Sequence, residues 1–292
     1  MYKTFLELSK PRITFLVIVT TYLGYYLGLR YNGYMMTEFS TLTIFFHLVL
    51  GVALSSSGSA ILNQYIERDL DLKMDRTKSR PLPSGKVAPH SALFLGVFCC
   101  FSGVLYLYYF VNSVTSFVSF LTIISYLFIY TPSKLRTSWN TIIGSFPGAL
   151  PPVGGWTAAT GEIKSIEPII LFLILFCWQI PHFLAIAIIY SSDYARGGMK
   201  MYPTVYPESK KTSYLILFFT IALIVTTIGL YIIKLAGIYY AIGSAMIGMM
   251  FLFFSTLTII DNTKSNARKL MIASILYLPA LLLIIIIDKY FH

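Results

Sequence analysis

IEPIILFLILFCWQIPHFLAIAIIY, residues 166–190, contains a single charged residue, Glu167. A bilayer's hydrocarbon core takes about 20 consecutive apolar residues as a helix, and backbone polar groups at that depth must be satisfied within the segment. The stretch is therefore read as a membrane-spanning helix. Other segments of the same kind lie on both sides of it, and in chain order the set is 13–30, 40–62, 91–111, 114–130, 140–159, 166–190, 213–233, 235–259 and 270–288. The expected fold class is all-α, a polytopic membrane protein built as one bundle of about nine transmembrane helices, with residues 1–292 forming a single domain. Composition agrees: of 292 residues, 57% are hydrophobic and 12% charged, about half the roughly 25% charged fraction of soluble domains. That balance excludes an ordinary water-soluble globule.

The net charge of +10 would suggest nucleic-acid binding in a soluble chain, but here its placement reports orientation. Of the 22 Lys and Arg residues, all but Arg30, Lys164, Lys234 and Lys289 fall in the N-terminal segment or in connections on the same side as it. Basic residues are retained in cytoplasmic loops, so the N-terminus is expected in the cytoplasm and the C-terminus outside. The partner is the lipid bilayer, not nucleic acid. No small-residue cleavage pattern follows the first apolar run near Leu29–Gly33, so that run is expected to remain as a span. Cys99, Cys100 and Cys177 lie in apolar runs without metal-ligand spacing and are expected in the core.

Two long connections, 63–90 and 191–212, follow the second and sixth segments and hold most of the acidic residues. In the first, Asn63, Glu67, Asp71 and Asp75 recur at four-residue steps, which on a helix makes one stripe of oxygen donors. Hard cations such as Mg²⁺ take oxygen ligands and are shared between a few carboxylates and substrate phosphates. Arg68, Lys73, Arg76, Lys78 and Arg80 supply phosphate donors around that stripe. The pattern reads as a metal-bridged diphosphate site; a solvated helix laced with ion pairs is the plainer alternative. In the second connection, Asp193 offers another carboxylate, with Arg196 and Lys200 as candidate phosphate contacts.

Trp178-Gln-Ile-Pro-His182-Phe183 lies within the sixth segment. An ionisable residue inside a span is a functional candidate by default, and Gln179 and His182, three apart, are expected on one face. His182 is either a ligand contact or a hydrogen bond inside the bundle. The fifth segment holds Pro147, Gly148, Pro151, Pro152, Gly154 and Gly155. Its irregularity marks either a substrate-lining break or close packing through small residues.

Taken together, Lys10-Pro-Arg12-Ile-Thr14, Asn63 through Pro83, Gly148-Ala-Leu-Pro-Pro152 with Gly155-Trp156, Trp178 through Phe183, and Asp193-Tyr-Ala195 resemble the UbiA-type intramembrane prenyltransferases. The Trp-Gln-Ile-Pro-His-Phe run is similar to the branch of that family that farnesylates haem. The resemblance covers about residues 8–206. It implies transfer of a farnesyl group from farnesyl diphosphate to a vinyl group of haem B, with water added and diphosphate released. It also implies Mg²⁺ as cofactor, held by Asn63, Glu67, Asp71, Asp75 and Asp193. Arg68, Arg76, Lys78, Arg80, Arg196 and Lys200 become candidate diphosphate contacts. Lys10, Arg12, Lys134 and Arg136 become candidate partners of the haem propionates or, for the last two, of the family's basic role in that loop. Tyr130, Trp156 and Trp178 are candidate linings for a carbocation, and His182 for contact with haem. A prokaryotic plasma membrane is the expected location, with a downstream haem-modifying or oxidase-assembly protein as a partner. The alternatives are a prenyltransferase acting on a quinone precursor or other lipid acceptor, a non-catalytic haem-delivery protein, and a transporter.

Overall fold

The computed structural model describes residues 2–207 and 209–288. Lys289 and His292 lie outside it, as does the side chain of Lys3. In chain order the helices are α1 (Tyr2–Ser9), α2 (Pro11–Tyr31), α3 (Phe39–Asp71), α4 (Pro89–Phe110), α5 (Ser113–Ile124), a π-helical turn (Ser125–Tyr130), α6 (Thr131–Arg136), α7 (Asn140–Gly148), α8 (Leu150–Thr160), α9 (Ile166–Ile189), α10 (Ser191–Arg196), α11 (Tyr202–Val205), α12 (Lys211–Ile232), α13 (Ile238–Ile260) and α14 (Lys264–Asp288). No strand is present among the described residues.

Eight helices among the described residues are long and apolar enough to cross a membrane: α2, α3, α4, α9, α12, α13, α14 and the continuous stretch Ser113–Arg136 formed by α5, the π-helical turn and α6. The fifth expected span, 140–159, is interrupted, as its prolines and glycines require. It is two short helices, α7 and α8, meeting at Ala149, and neither is long enough to be counted alone. Pro147 at the end of α7 and Pro151 at the start of α8 each lack the backbone N–H that a continuous helix would need.

The glycines of the fifth segment follow the close-packing reading. In α8, a Cβ on Gly155 would collide with the Thr21 carbonyl of α2, and one on Gly24 of α2 would collide with Pro152. Small residues there let two backbones touch, which is how helices pack where the surrounding lipid is as apolar as the side chains. In α7 the small residues make room for side chains instead: Gly144 for the ring of Tyr130, Gly148 for the amide of Gln179. The α3–α4 pair uses the same device, since Gly58 and Gly103 face the backbone of the opposite helix at Cys100 and Ser55.

The largest core cluster joins α2, α8, α9 and α12–α14 around Trp156, Leu171, Ile174, Tyr240, Phe251 and Tyr277. Cys99, Cys100 and Cys177 are buried free thiols. Phe94, Phe101, Phe128, Phe218 and Phe253 are exposed around the perimeter, as side chains meeting lipid should be. At the end remote from the acidic segments, the buried carboxylate of Asp288 accepts from the Gly237 N–H (2.7 Å) and the Tyr240 N–H (3.0 Å), closing α14 onto the start of α13.

Candidate functional site

α3 runs past the membrane segment and carries Asn63, Glu67 and Asp71 down one buried face, with 2%, 4% and 1% exposure. The four-residue spacing holds this far and then stops. Leu72 caps the helix, the Thr77 hydroxyl donates to the Asp71 carbonyl (2.9 Å), and Arg80 turns back to the Asp71 carboxylate (2.7 Å). Asp75, expected as the fourth member of the stripe, therefore leaves it. It is exposed and pairs with Lys78 and Arg196, each at 2.7 Å. Its hydrogen bond to Lys78, and then the Lys78 and Arg196 charges, hold its carboxyl below the usual range.

Each buried carboxylate of α3 meets a cation from another element. Lys134 Nζ lies 2.7 Å from Glu67 Oε1, with both side chains largely buried, while Arg136 is exposed. Of the two basic residues of that loop, Lys134 enters the site. The same ammonium stands 4.6 Å over the ring of Tyr130. Lys10 enters as well, from the junction of α1 and α2. Its left-handed backbone (φ 49°) ahead of Pro11 turns the chain so that Nζ donates to Asn63 Oδ1 (3.1 Å). The Asn63 amide in turn donates to Thr131 Oγ1 (3.2 Å). Loss of hydration, and next the Arg80 charge, pull the pKa of Lys10 down to about 7. Arg80 and Lys134 balance Asp71 and Glu67, and Lys10, when protonated, leaves the cluster one positive charge in excess, a state that a bound anion favours.

The second acidic segment joins from the opposite side. Asp193 on α10 is buried, and Arg196 bonds both to it and to Asp75, which links the two connections. Arg76 reinforces the link, donating to the Tyr194 hydroxyl (2.9 Å) and lying over the rings of Tyr194 and Tyr190. Beneath them Met74 packs with Ala187, Met199 and Met201.

Several expected contacts are not brought into this cluster. Arg68 folds back over Tyr65 and reaches Asp69 (3.6 Å); one position on from Glu67, it does not share the face of Asn63, Glu67 and Asp71. Lys78 is held at Asp75, and the side chains of Arg12 and Lys200 are exposed. Trp156 is fully buried beside Tyr31, the last residue of α2, whereas Lys10 sits at that helix's start. It lines the wrong end of the bundle.

Trp178 and His182 form a separate feature on α9, their rings stacked at 5.0 Å. The indole donates to the Ser274 carbonyl (2.8 Å) and His182 Nδ1 meets Ser274 Oγ (2.7 Å). Gln179 does not share that face, since its amide packs against Gly148 of α7. Three residues on a helix turn through about 300° and four through about 400°, so Trp178 and His182 coincide more closely than either does with Gln179. The hydrogen bond within the bundle is present.

Among the described residues no group of three His, Cys, Asp or Glu side chains is gathered into a ready-made metal cage. The donors at the mouth of α3 are nonetheless an amide and carboxylates only, the oxygen chemistry suited to a hard divalent cation.

A family model, that of the UbiA prenyltransferase family, matches residues 16–276. The chain belongs to this family. This UbiA-family prenyltransferase is 39% identical over 289 residues to a protein of Solibacter usitatus named protoheme IX farnesyltransferase, covering 98% of the chain and 99% of that protein. It superposes on the structure of a digeranylgeranylglyceryl phosphate synthase with a TM-score of 0.79 at 20% identity, covering 98% of each chain. A UbiA homologue from Archaeoglobus fulgidus, solved with DMAPP and Mg²⁺, superposes with a TM-score of 0.67 at 15% identity, covering 97% of this chain and 99% of that one. The chain is an integral membrane protein.

Proposed function

We propose that this protein transfers the farnesyl group of farnesyl diphosphate to a vinyl group of haem B, with addition of water, giving haem O and diphosphate. The observation that carries the reading is the buried cluster at the end of α3, where Asn63, Glu67 and Asp71 face Lys10, Arg80 and Lys134. The acceptor is supported by the name of the Solibacter relative and by the Trp-Gln-Ile-Pro-His-Phe run.

Ionising an allylic diphosphate builds negative charge on the leaving group, so fixed positive charge there stabilises the transition state more than the ground state. Lys134, Arg80 and Lys10 supply it, with Arg196 and Arg76 on the facing connection. Asn63, Glu67, Asp71 and Asp193 are the residues that would hold Mg²⁺, which when bound neutralises the diphosphate. Tyr130, whose ring lies beneath the Lys134 ammonium, is an aromatic side chain of this cluster, and an aromatic ring stabilises cations within about 6 Å. The vinyl π-electrons then attack the farnesyl carbon, and water captures the cation left on the acceptor and gives up a proton. The surrounding bundle excludes bulk water from the first cation. His182 contacts the haem, its Nδ1 held by Ser274 so that Nε2 is the available nitrogen.

The distribution of basic residues supports a plasma-membrane topology with the N-terminus and both acidic segments in the cytoplasm. A haem-modifying or oxidase-assembly protein would receive the product. Diphosphate release in detergent tests the reading: farnesyl diphosphate, Mg²⁺ and haem B are expected to give release that a quinone precursor does not match. Release with the quinone precursor alone would move the assignment to another acceptor.

A further inference from the structure

Asn140, the first residue of α7, has a wholly buried side chain. It lies one residue inside the helix, past the Trp139 cap, and its Oδ1 is buried without a partner. Both working bonds come from the amide nitrogen. Nδ2 donates to the Thr137 carbonyl, just beyond α6, and to the Lys200 carbonyl, between α10 and α11, each at 2.7 Å. The Lys200 N–H donates to the Lys134 carbonyl at 2.7 Å, and Lys134 Nζ reaches Glu67 at 2.7 Å. A continuous chain of bonds thus runs from the α10–α11 connection, through the Lys200 peptide, to the ammonium paired with the acidic face of α3. Buried polar atoms are rarely left unpaired, so a side chain that leaves its oxygen idle to tie two loops together is serving the loops rather than its own helix.

We propose that Asn140 is a positioning residue of the diphosphate site, fixing the Lys134 loop against the segment that follows Asp193 so that the two halves of the site hold one diphosphate between them. The proposal rests on the diphosphate reading above, but not on the identity of the acceptor.

The test measures calorimetric binding of inorganic diphosphate with Mg²⁺ to the full-length protein, comparing wild type, Asn140→Ala, Asn140→Ser, Lys134→Met and the Asn140→Ala/Lys134→Met pair. Asn140→Ala loses the two buried hydrogen bonds that order the loops and is expected to bind diphosphate about tenfold more weakly. Asn140→Ser, which keeps one donor, should fall between it and wild type. Since Asn140 acts through Lys134, its effect should shrink to under about twofold in the Lys134→Met background, the non-additivity of coupled residues. Haem affinity, which a general loss of folded protein would lower, should stay at the wild-type value. Unchanged diphosphate affinity in Asn140→Ala, or fully additive losses in the pair, would overturn the proposal. Wild type that binds diphosphate yet leaves haem unaltered would count against the acceptor alone.

Discussion

Replacing Lys134 by Met removes one partner of an ion pair whose side chains are 13% and 6% exposed and 2.7 Å apart. The variant incurs two losses that can be separated. Glu67 is left as a buried carboxylate without its cation, which costs about 3–5 kcal/mol of stability. The leaving diphosphate loses a fixed positive charge, worth about 10²–10³ in rate. Adding Glu67→Gln removes the stranded charge, so Lys134→Met/Glu67→Gln should regain thermal stability in detergent, while turnover stays low for the loss of both Lys134 and a residue that would hold Mg²⁺. Arg136→Met, two residues along and exposed, should change stability by no more than about 0.5 kcal/mol and leave diphosphate release near the wild-type rate. The assay is thermal unfolding and steady-state release on the same preparations. Equal damage from Arg136→Met and Lys134→Met, or turnover restored in the double variant, would refute the assignment of Lys134.

The geometry makes three further outcomes testable. Asp71→Asn, which keeps the shape facing Arg80, should lower diphosphate release by about 10²-fold or more, whereas Asp75→Asn should lower it by less than about threefold; comparable losses in the two variants would restore the four-member stripe. Gly155→Ala drives a methyl into the Thr21 carbonyl and should destabilise by about 1–3 kcal/mol, read as an earlier unfolding midpoint, and an unaltered midpoint would contradict the α2–α8 contact. His182→Ala should weaken haem binding in a spectroscopic titration without changing affinity for farnesyl diphosphate, and an unshifted haem affinity would leave His182 with only its bond to Ser274.

Much of the fold was legible because spans are long apolar runs, and lipid leaves the backbone no choice but helix. Asn63, Glu67 and Asp71 were legible for the related reason that helical spacing puts them on one face. The stripe's end was not, because it is set by Thr77 and Arg80 folding back from six and nine residues away. The choice between Lys134 and Arg136 was equally hidden. A π-helical turn precedes them, and its additional residue rotates the rest of that helix by about 100° relative to a regular one. Lys10 was readable as basic and next to proline, but its left-handed turn into the site depends on α1, which is anchored where Gln64 donates to the Leu8 carbonyl. Gln179 and His182 part company because α9 is packed between two neighbours, α7 and α14, and sequence spacing does not say where one neighbour ends and the other begins.

The most direct measurement is the mass of the porphyrin recovered by liquid chromatography–mass spectrometry after purified protein is incubated with haem B, farnesyl diphosphate and Mg²⁺. A gain equal to farnesyl plus hydroxyl is expected, abolished by a chelator and strongly reduced in Lys134→Met. Haem recovered at its original mass from folded protein would contradict the proposed reaction.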